Sequence, residues 1–501
     1  MKLTSIVEKY EIKKQNPQDI NHFCSCIVCS IWGDKKTEHY GFFTGAITEC
    51  ILLLYRMCTT IHKVTCDLRS IPFIKEELVL WILYDLNKFQ RLDQTVGSLV
   101  IDLIKEFKNV EMCFVNDYQF LRSKKFITSD NVVSKAGIAS ADKHDNSHVI
   151  KIQIENSPLI YYKPRPGCGA NLLIDVSKIL AKWNLSIGAA DTLDFADYHW
   201  SINVPCENKL NISGARNYAY NGGVLYGLAY LLNSSDLHFE NIVAFGELPV
   251  VIDCETISQP KFSSLAAEHF LKKKQNEHDD ISSLFLNRDT YNNEMIDYGG
   301  LTCTEFFFEK DPYAGLHVKL QGDRKNLTKH VSRSAIYVNN EIIAPAYYFF
   351  EDFSRGLHDF FNIEQREYLE IIELIHDDYF FRVPLRATRV YAALISESLS
   401  HIYFPTYSKL SFSQYLVTEV NSSSPQFIHI AKKILEFEMK CIDSFNIPIF
   451  YSRANSKALF FGKKSIRDFF DHTPIQEIES RAMKLNANVA DELIAKLKKR
   501  F

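Results

Sequence analysis

Residues Ser234 to Ile257 read SSDLHFENIVAFGELPVVIDCETI, and this stretch decides how the rest of the chain is interpreted. Polar side chains that can act as ligands, bases or acids stand beside its apolar runs: Asp236, His238, Asn241, Asp253 and Glu255. Charged groups close to buried chain are costly unless they are paired or bind a cation. The stretch therefore forms either a metal site or the polar edge of an ordinary strand.

Length and composition limit the classes of protein to which the chain can belong. A chain of 501 residues exceeds the usual limit for one compact core, so two or three subdomains are expected. Hydrophobic residues make up 46 % and charged residues 24 %, which is typical of a soluble folded protein. The formal net charge of -4 predicts no general affinity for nucleic acid or anionic lipid.

Neither targeting nor membrane insertion is indicated by the apolar segments. The first residues lack an apolar core of signal-peptide length, and the longest apolar run, GAITECILLLYRMC, is interrupted by Glu49 and Arg56. It falls short of the roughly 18 apolar residues that indicate a span. We therefore expect a cytoplasmic protein without a transmembrane segment. The twelve cysteines are irregularly spaced and fit reduced thiols. In CSCIVC (24–29), buried thiols in a helix are favoured over a zinc site.

Hydrophobic periodicity divides the chain into three parts that we expect to form one unit. Residues 1–134 read as a helical region, because apolar residues recur every three or four positions. Residues 135–260 read as a kinase-like N-lobe with a catalytic and metal-binding segment. Residues 261–501 read as an activation-loop-like region followed by a mostly helical lobe, and the polar segment 272–300 is expected to be a mobile surface loop.

Two hairpins are predicted within the middle part. The alternating run Val149 to Ile154 and the run Leu159 to Tyr162 flank a Glu-Asn-Ser-Pro turn. NIVAF and PVVID, separated by GEL, form the second predicted hairpin, which ends at Asp253. ANLLIDVSKILAKWN and YAYNGGVLYGLAYLLN return to helical spacing between the two hairpins.

The order of these parts is informative. Lys163 ends the second strand of the first hairpin, and two helices later Asp236 is followed after five residues by Asn241. Protein kinases place a strand lysine, a catalytic-loop aspartate, a metal-binding asparagine and a further metal-binding aspartate in this order. The order therefore predicts a nucleotide site in which Lys163 contacts phosphate and Asn241 and Asp253 bind Mg²⁺.

The remaining residues of the opening stretch have two interpretations each. Glu255 supports the metal or binds a second one, and Asp236 orients or deprotonates an acceptor hydroxyl. Taken singly, Lys163 is a solvated strand-end lysine, Asp236 a turn residue and His238 a satisfied core histidine. No Gly-x-Gly-x-x-Gly precedes Lys163, and the next helix offers only Asp175 in place of a glutamate. The predicted fold class is therefore α+β, with a lipid-kinase-like two-lobed catalytic core.

Several motifs in sequence order resemble those of one family, the dehydratase domain of class II lanthipeptide synthetases (the LanM enzymes). ADKHDNSHVIKIQI resembles its Gly-Asp-x-His-x-x-Gly-x-x-Val stretch, and YYKPRP its Tyr-Lys-Pro-Arg. DYHW resembles its Tyr-Gly-Trp, RVPLRATRVYAALI its Arg-rich stretch before a helix, and NIPIFYSR its Asp-Ile-Pro-x-Phe. The opening stretch is similar to the family's most recognisable block. The resemblance covers the chain from about residue 135 to its end.

The resemblance implies a lipid-kinase-like enzyme of lantibiotic biosynthesis that phosphorylates Ser and Thr of a precursor peptide with ATP and Mg²⁺. The same site would then eliminate phosphate and leave dehydroalanine or dehydrobutyrine. The residues that it implies for phosphorylation are Lys163, Asp236, His238, Asn241, Asp253 and Glu255. It implies Arg382 and Thr388 for elimination, and it adds Asp142 and His144 without fixing the step that they serve.

Other interpretations of these residues are simpler. Without the family, Arg382 reads as a surface charge and Thr388 as a helix N-cap. With it, the planar guanidinium of Arg382 suits a phosphoester leaving group. Two positions depart from the family pattern, since Ser147 and His199 both stand where glycine is usual. Neither departure removes a catalytic side chain.

The family's full-length enzymes continue into a zinc cyclase whose ligands include a Cys-His pair, and this chain contains no Cys-His dipeptide. If complete, the chain is expected to dehydrate without closing thioether rings. The implied partners are a leader-bearing precursor peptide, a separate zinc cyclase and an exporter, and no nucleic acid. Three alternatives stay open: a peptide Ser/Thr kinase without elimination, a peptide-binding pseudoenzyme, and a fragment of a longer synthetase.

Overall fold

Both predicted hairpins are present at the centre of the molecule. In the computed structural model, Ile150–Ile154 pairs antiparallel with Ile160–Lys163, and Ile242–Phe245 pairs antiparallel with Leu248–Val251. The structure describes residues 20–32, 40–65, 90–130, 132–140, 142–145, 147–271, 286, 288–291, 294–311, 315–318, 328–388, 390–392, 394–395 and 412–498.

Helices and strands alternate along this described chain, which confirms the α+β class. The helices are α1 (Ile20–Trp32), α2 (Tyr40–Thr65), α3 (Gln90–Ser123), α4 (Cys168–Ala181), α5 (Ile212–Leu231), α6 (Ser264–Leu271), α7 (Pro345–Tyr348), α8 (Phe350–Phe361), α9 (Gln365–Glu373), α10 (Phe412–Asn421), α11 (Ile428–Asp443), α12 (Pro474–Ala482) and α13 (Ala487–Lys498). The strands are β1 (Val133–Ile138), β2 (Ile150–Ile154), β3 (Ile160–Lys163), β4 (Gly188–Ala189), β5 (Thr192–Asp194), β6 (His199–Ile202), β7 (Lys209–Leu210), β8 (Ile242–Phe245), β9 (Leu248–Val251), β10 (Lys261–Phe262), β11 (Arg288–Tyr291), β12 (Glu294–Asp297), β13 (Glu305–Asp311), β14 (Gly315–Val318), β15 (Thr328–Val331), β16 (Ile336–Val338), β17 (Glu341–Ile343), β18 (Phe380–Arg382), β19 (Tyr451–Arg453), β20 (Leu459–Phe461), β21 (Lys464–Ile466) and β22 (Phe470–His472).

An antiparallel sheet of five strands, in the order β1-β2-β3-β6-β5, carries the N-terminal helices on one face. Phe107 of α3 and Trp200 of β6 belong to one buried core, together with Tyr162 of β3. Successive side chains of a strand point to opposite faces. Lys163 and His199, the next residues along these strands, therefore face away from the helices and toward the molecule's central cleft.

A second core lies around α5, which crosses α8 at very close range. A side chain at Gly223 would collide with the backbone of Phe353, and one at Gly356 would collide with the backbone of Tyr220. Helices approach this closely only where glycine removes the Cβ atom. The contact fixes the course of α5, whose C-terminal end leads directly into Ser234 and the opening stretch.

The C-terminal part adds an antiparallel sheet in the order β18-β19-β20-β21 and a further hydrophobic core. Its strands place Arg382 opposite Tyr451 in register. The predicted helices at 364–376 and 475–501 are confirmed by α9, α12 and α13. In the predicted helix at 385–403, residues 388, 390–392 and 394–395 are helical, and the others beyond 388 lie outside the described residues.

The structure bears on three further predictions, which concern the segment 272–300, the N-terminal helices and the clustered thiols. The segment 272–300 is not simply a loop, because β11 and β12 form an antiparallel hairpin within it; 272–285, 287 and 292–293 lie outside the described residues. Within the predicted N-terminal helical region, α1, α2 and α3 are helical as predicted, and residues 1–19, 33–39 and 66–89, which include the predicted helical segment 75–89, lie outside the described residues. The thiols at 24 and 26 are buried in α1 as predicted, and the thiol at 29 is exposed.

No helix in the described ranges is long and apolar enough to cross a membrane. The two-lobed, lipid-kinase-like arrangement and the domain boundaries at 134 and 260 stay predictions.

Candidate functional site

A cleft lies beside the five-stranded sheet, and four of the predicted site residues line it: Lys163, Asp253, Glu255 and Arg382. The other predicted residues are not part of this lining. The sheet contributes Lys163 and His199, and the segment after β9 contributes Asp253 and Glu255. The wall is completed by the N-terminus of α4, β18 and β19, with Arg165, Gly167, Gly169, Arg382 and Tyr451 among the lining residues. The lining, with its several charged side chains, suits a ligand with charged groups.

Lys163 and Asp253 form the innermost part of the cleft. The Lys163 ammonium donates a 2.9 Å hydrogen bond to the carbonyl of Ile252, which places its charge next to Asp253. Burial alone would raise the pKa of Asp253, but the charge of Lys163, reinforced by two arginines, lowers it to about 2. Asp253 is therefore an ionised carboxylate inside the protein, as a metal ligand must be.

The residues proposed to hold Mg²⁺ fit the ion by the chemistry of their atoms. The backbone amide of Ile252 donates to the carbonyl of Asn241 at 3.0 Å, so the segments carrying Asn241 and Asp253 run side by side. An amide oxygen and an ionised carboxylate are hard donors of the kind that Mg²⁺ binds. Across the described ranges, no three His, Cys, Asp or Glu side chains are grouped closely enough to hold a metal.

Asp236, His238 and Asn241 are brought together by one tight loop. The Asn241 amide donates to the Asp236 carbonyl at 2.8 Å, and the His238 Nε2 lies 3.6 Å from an Asp236 carboxylate oxygen. Asp236 has a φ of 61°, in the left-handed region that costs energy for any residue with a Cβ. Such conformations concentrate at functional sites because the surrounding contacts hold them in place.

Glu255 lies between two arginines. One carboxylate oxygen forms an ion pair with Arg165, and the other lies 3.6 Å from the guanidinium of Arg382. Burial raises the pKa of Glu255, although the arginine charges oppose the rise. In this arrangement both oxygens of the Glu255 carboxylate are paired with arginines. A metal ion could be coordinated by Glu255 only if one of these ion pairs broke.

Arg382 and Thr388, the pair implied for elimination, are in contact. An Arg382 guanidinium nitrogen lies 3.5 Å from the Thr388 hydroxyl, to which it donates a long hydrogen bond. The Arg382 backbone also donates to the carbonyl of Glu255 at 2.8 Å, and its carbonyl accepts from Gln259 at 2.7 Å. These bonds fix β18 against the segment after β9, so Arg382 enters the same cleft as Lys163.

Asp142 and His144 lie in the connection between β1 and β2, outside the lining of the cleft but near enough to Arg382 and Arg165 to feel their charge. Burial raises the pKa of Asp142 despite the charge of Arg382, and it lowers the pKa of His144 to about 3, assisted by the same arginine. The connection is held by Ile447, whose amide donates to the Lys143 carbonyl at 2.8 Å and whose carbonyl lies 3.3 Å from the His144 Nδ1. Through Ile447, the NIPIFYSR segment therefore holds the connection that carries Asp142 and His144.

Ser147 and His199, which replace glycine, are both accommodated. Ser147 exchanges two backbone hydrogen bonds with His144 and keeps the connection closed. His199 is buried in the cleft, and its Nδ1 lies 2.7 Å from the Arg165 carbonyl. Burial and the charge of Lys163 lower the pKa of His199 to about 3, so its imidazole is neutral.

Sequence reasoning missed two residues of the cleft. Arg165 lies two positions after Lys163 in YYKPRP. In an extended segment, side chains two positions apart point to the same side, and this spacing could have predicted that Arg165 joins Lys163 in the cleft. Tyr451 lines the cleft opposite Arg382, and burial raises its pKa. No local pattern distinguishes Tyr451 from the other 24 tyrosines of the chain, which contains 25 in all.

Comparisons with known proteins give two matches. A family model described as a domain of unknown function (DUF4135) matches residues 89–453, which is more than half of the chain. The protein named lacticin 481/lactococcin biosynthesis protein LcnDR2, from Lactococcus lactis subsp. lactis, is 33 % identical over 176 residues. The aligned part covers 33 % of this chain and 18 % of that relative, so the chain matches less than a fifth of the relative's length.

Proposed function

The chain belongs to the family described as a domain of unknown function (DUF4135), and from this premise we propose that it is a peptide dehydratase of lantibiotic biosynthesis. The matches confirm its resemblance to class II lanthipeptide synthetases, and the relative's name gives lacticin biosynthesis as that protein's role. The proposed substrate is a ribosomally made precursor peptide with a leader, and the co-substrate is ATP. A separate cyclase and an exporter are further proposed partners.

One observation carries the proposal: two sets of groups with different chemistry share one cleft. Lys163 and Asp253 make the kind of pair that handles nucleotide phosphates, whereas Arg382 and Thr388 suit a phosphate leaving group. Glu255 joins the two sets, because it follows Asp253 by two residues and pairs with Arg382. A kinase without elimination would not need the second set at this position.

In the proposed first step, the hydroxyl oxygen of Ser or Thr attacks the γ-phosphorus of ATP. An oxygen–phosphorus bond forms, ADP leaves with the electron pair of the broken bond, and Asp236 accepts the hydroxyl proton. Lys163 binds the nucleotide phosphates. His238 and Asn241 hold the Asp236 loop in its strained conformation. Mg²⁺, held by Asn241 and Asp253, would neutralise phosphate charge.

In the proposed second step, a base removes the proton on Cα of the phosphorylated residue. The Cα–H electrons form the Cα–Cβ double bond, the Cβ–O bond breaks, and phosphate leaves with its electron pair. Arg382 binds the departing phosphate and Thr388 holds the guanidinium in place. We assign the base to Asp142, because a carboxylate with a raised pKa is a better proton acceptor at neutral pH than an ordinary one.

The experiment separates the two steps with two variants. The substrate is a leader-bearing precursor peptide that contains Ser, Thr and Cys, incubated with ATP and Mg²⁺ and analysed by mass spectrometry. Lys163→Met should slow phosphorylation by at least about a hundredfold, the scale of losing one charge at a phosphoryl-transfer site, yet still process a chemically phosphorylated peptide. Arg382→Ala should phosphorylate the peptide and accumulate the phosphorylated product. If both variants fail at the same step, a two-step site is excluded.

A further inference from the structure

Arg165 is a cleft residue to which neither step has assigned a role. It stands between Pro164 and Pro166, and the residue before a proline is biased to extended backbone. Its amide donates to the Lys163 carbonyl at 2.8 Å, and its carbonyl lies 2.7 Å from the His199 Nδ1. The backbone of Arg165 is therefore fixed, and the direction in which its side chain leaves is fixed with it.

The side chain of Arg165 is buried and only partly satisfied. Its exposed fraction is 11 %, and its ion-pair partner Glu255 is shared with Arg382. The Arg165 Nε is buried without a hydrogen-bond partner among the described residues. A guanidinium has five N–H donors, so the single Glu255 oxygen that Arg165 contacts leaves donors available for another anion.

Among the residues that line the cleft, the three cations Lys163, Arg165 and Arg382 face two carboxylates, those of Asp253 and Glu255. Asp142 and Asp236 add negative charge near Arg382 from outside this lining. Glu255 is the acidic group that forms an ion pair with each of the two arginines, and an incoming anion would have to take its place. The two arginines approach Glu255 from its two oxygens, so they lie on either side of one acidic group.

We propose that Arg165 is a second phosphate-binding arginine, which together with Arg382 binds the phosphoryl group of the phosphorylated peptide. This inference rests on the proposed function and deepens it. Glu255 acts as an internal anion that holds both guanidiniums in position until the phosphoryl group arrives, and it competes with that group for them. Two planar guanidiniums can together donate hydrogen bonds to several phosphate oxygens, whereas Arg382 alone would leave some of the phosphate oxygens without a hydrogen-bond donor.

The competition by Glu255 predicts opposite effects at neighbouring positions. Arg165→Gln removes a donor and a charge and should weaken phosphate binding by about tenfold or more, the scale of one charged hydrogen bond. Arg165→Lys keeps the charge without the fork and should recover part of the loss. Glu255→Gln removes the competing anion and should strengthen binding. If Arg165 and Glu255 were needed only for folding, their replacement would not change phosphate affinity in opposite directions.

The measurement is isothermal titration calorimetry of the full chain with O-phosphoserine and with inorganic phosphate, in metal-free buffer without nucleotide. Arg481→Gln is the matched control, because Arg481 has a 15 % exposed side chain and an ion pair with Glu477 in α12, outside the cleft. The control should bind both ligands as the wild type does. Thermal melting of each variant establishes that it is folded.

The outcomes are distinct from those that test the dehydratase itself. Weaker binding by Arg165→Gln, partial recovery by Arg165→Lys and tighter binding by Glu255→Gln support the assignment. Equal binding by wild type and Arg165→Gln, or absent binding by the wild type, overturns it. If Arg165→Gln does not fold, Arg165→Lys decides: weaker binding than the wild type's supports the assignment, and equal binding overturns it. The proposed function would fail separately, through an unchanged peptide mass in the presence of ATP.

Discussion

At the scale of single residues, neighbouring acids in the same cleft behave differently. Asp253 and Glu255 are two positions apart and both are half-buried, yet their pKa values move in opposite directions. The ammonium of Lys163 lies beside Asp253, whereas Glu255 is affected by burial and by the negative charge of Asp253 as well as by arginines. Asp253 is thus suited to permanent ionisation, and Glu255 to an exchangeable ion pair.

His199 gives a prediction for stability. Its pKa is lowered from the ordinary value of 6.5 to about 3 by burial and by the charge of Lys163. A lowered folded-state pKa means that the unfolded chain takes up the proton first as pH falls. Stability from the neutral imidazole is therefore complete above pH 6.5 and is lost progressively down to about pH 3.

The wild type should lose free energy of unfolding more steeply than His199→Gln below pH 6.5, by up to about 1.4 kcal/mol per pH unit. Urea unfolding at pH 7 and at pH 5 measures the difference. The reference is His376→Gln, since His376 is an exposed histidine of the C-terminal part. Identical slopes for wild type and His199→Gln would show that His199 does not remain neutral in the folded state.

At the scale of elements, helix α3 reaches across the sheet to the site. Its Glu106 accepts a hydrogen bond from the His148 amide and lies 2.9 Å from the His148 ring, so α3 holds the end of the connection that carries Asp142 and His144. Asp117 of the same helix accepts hydrogen bonds from the Tyr198 hydroxyl and from the Trp200 indole of β6. The contact between Glu106 and His148 joins residues 42 positions apart, and no local sequence pattern could reveal it.

Replacing Glu106 by alanine should destabilise the protein by about 1–3 kcal/mol, because the buried His148 amide loses its acceptor. The control is Glu370→Ala, which removes an exposed ion pair with Lys182 and should change the free energy of unfolding far less. Chemical denaturation of the two variants compares them directly. A Glu106→Ala protein as stable as the control would mean that α3 does not clamp the connection.

The sequence predicted elements better than contacts between them. Both hairpins and helices α4 and α5 were predicted because their apolar residues repeat with the period of a strand or a helix. The hairpin β11–β12 was missed, since its segment is polar and lacks an alternating apolar pattern. The placement of Arg382 beside Glu255, 127 positions earlier, depended on the family resemblance and not on any spacing within the chain.

At the scale of the whole molecule, the close crossing of α5 and α8 determines how the opening stretch is presented to the sheet. Gly223 lies in the middle of the crossing, and an added methyl group would collide with the Phe353 backbone. Backbone cannot yield as a flexible side chain can. The helices would have to separate, and the loop that begins after α5 would move with them.

Gly223→Ala should therefore destabilise the protein by about 1–3 kcal/mol, although alanine is the better helix former. At Gly214, near the start of the same helix, an added methyl group would meet the Glu247 side chain at 3.3 Å and the side chains of Asn211 and Leu210 at ordinary contact distance, so Gly214→Ala should be close to neutral. Thermal unfolding of both variants tests the crossing. Equal melting temperatures would contradict the close packing of α5 on α8.

The central claim is that one cleft both adds and removes the phosphoryl group. Its most direct test is the mass of the precursor peptide after incubation with the wild-type chain, ATP and Mg²⁺, with released phosphate and ADP measured in the same reaction. We predict the loss of one water per modified Ser or Thr, with one ADP and one phosphate released for each. A wild-type product that keeps its phosphate, or a peptide of unchanged mass, would contradict the claim.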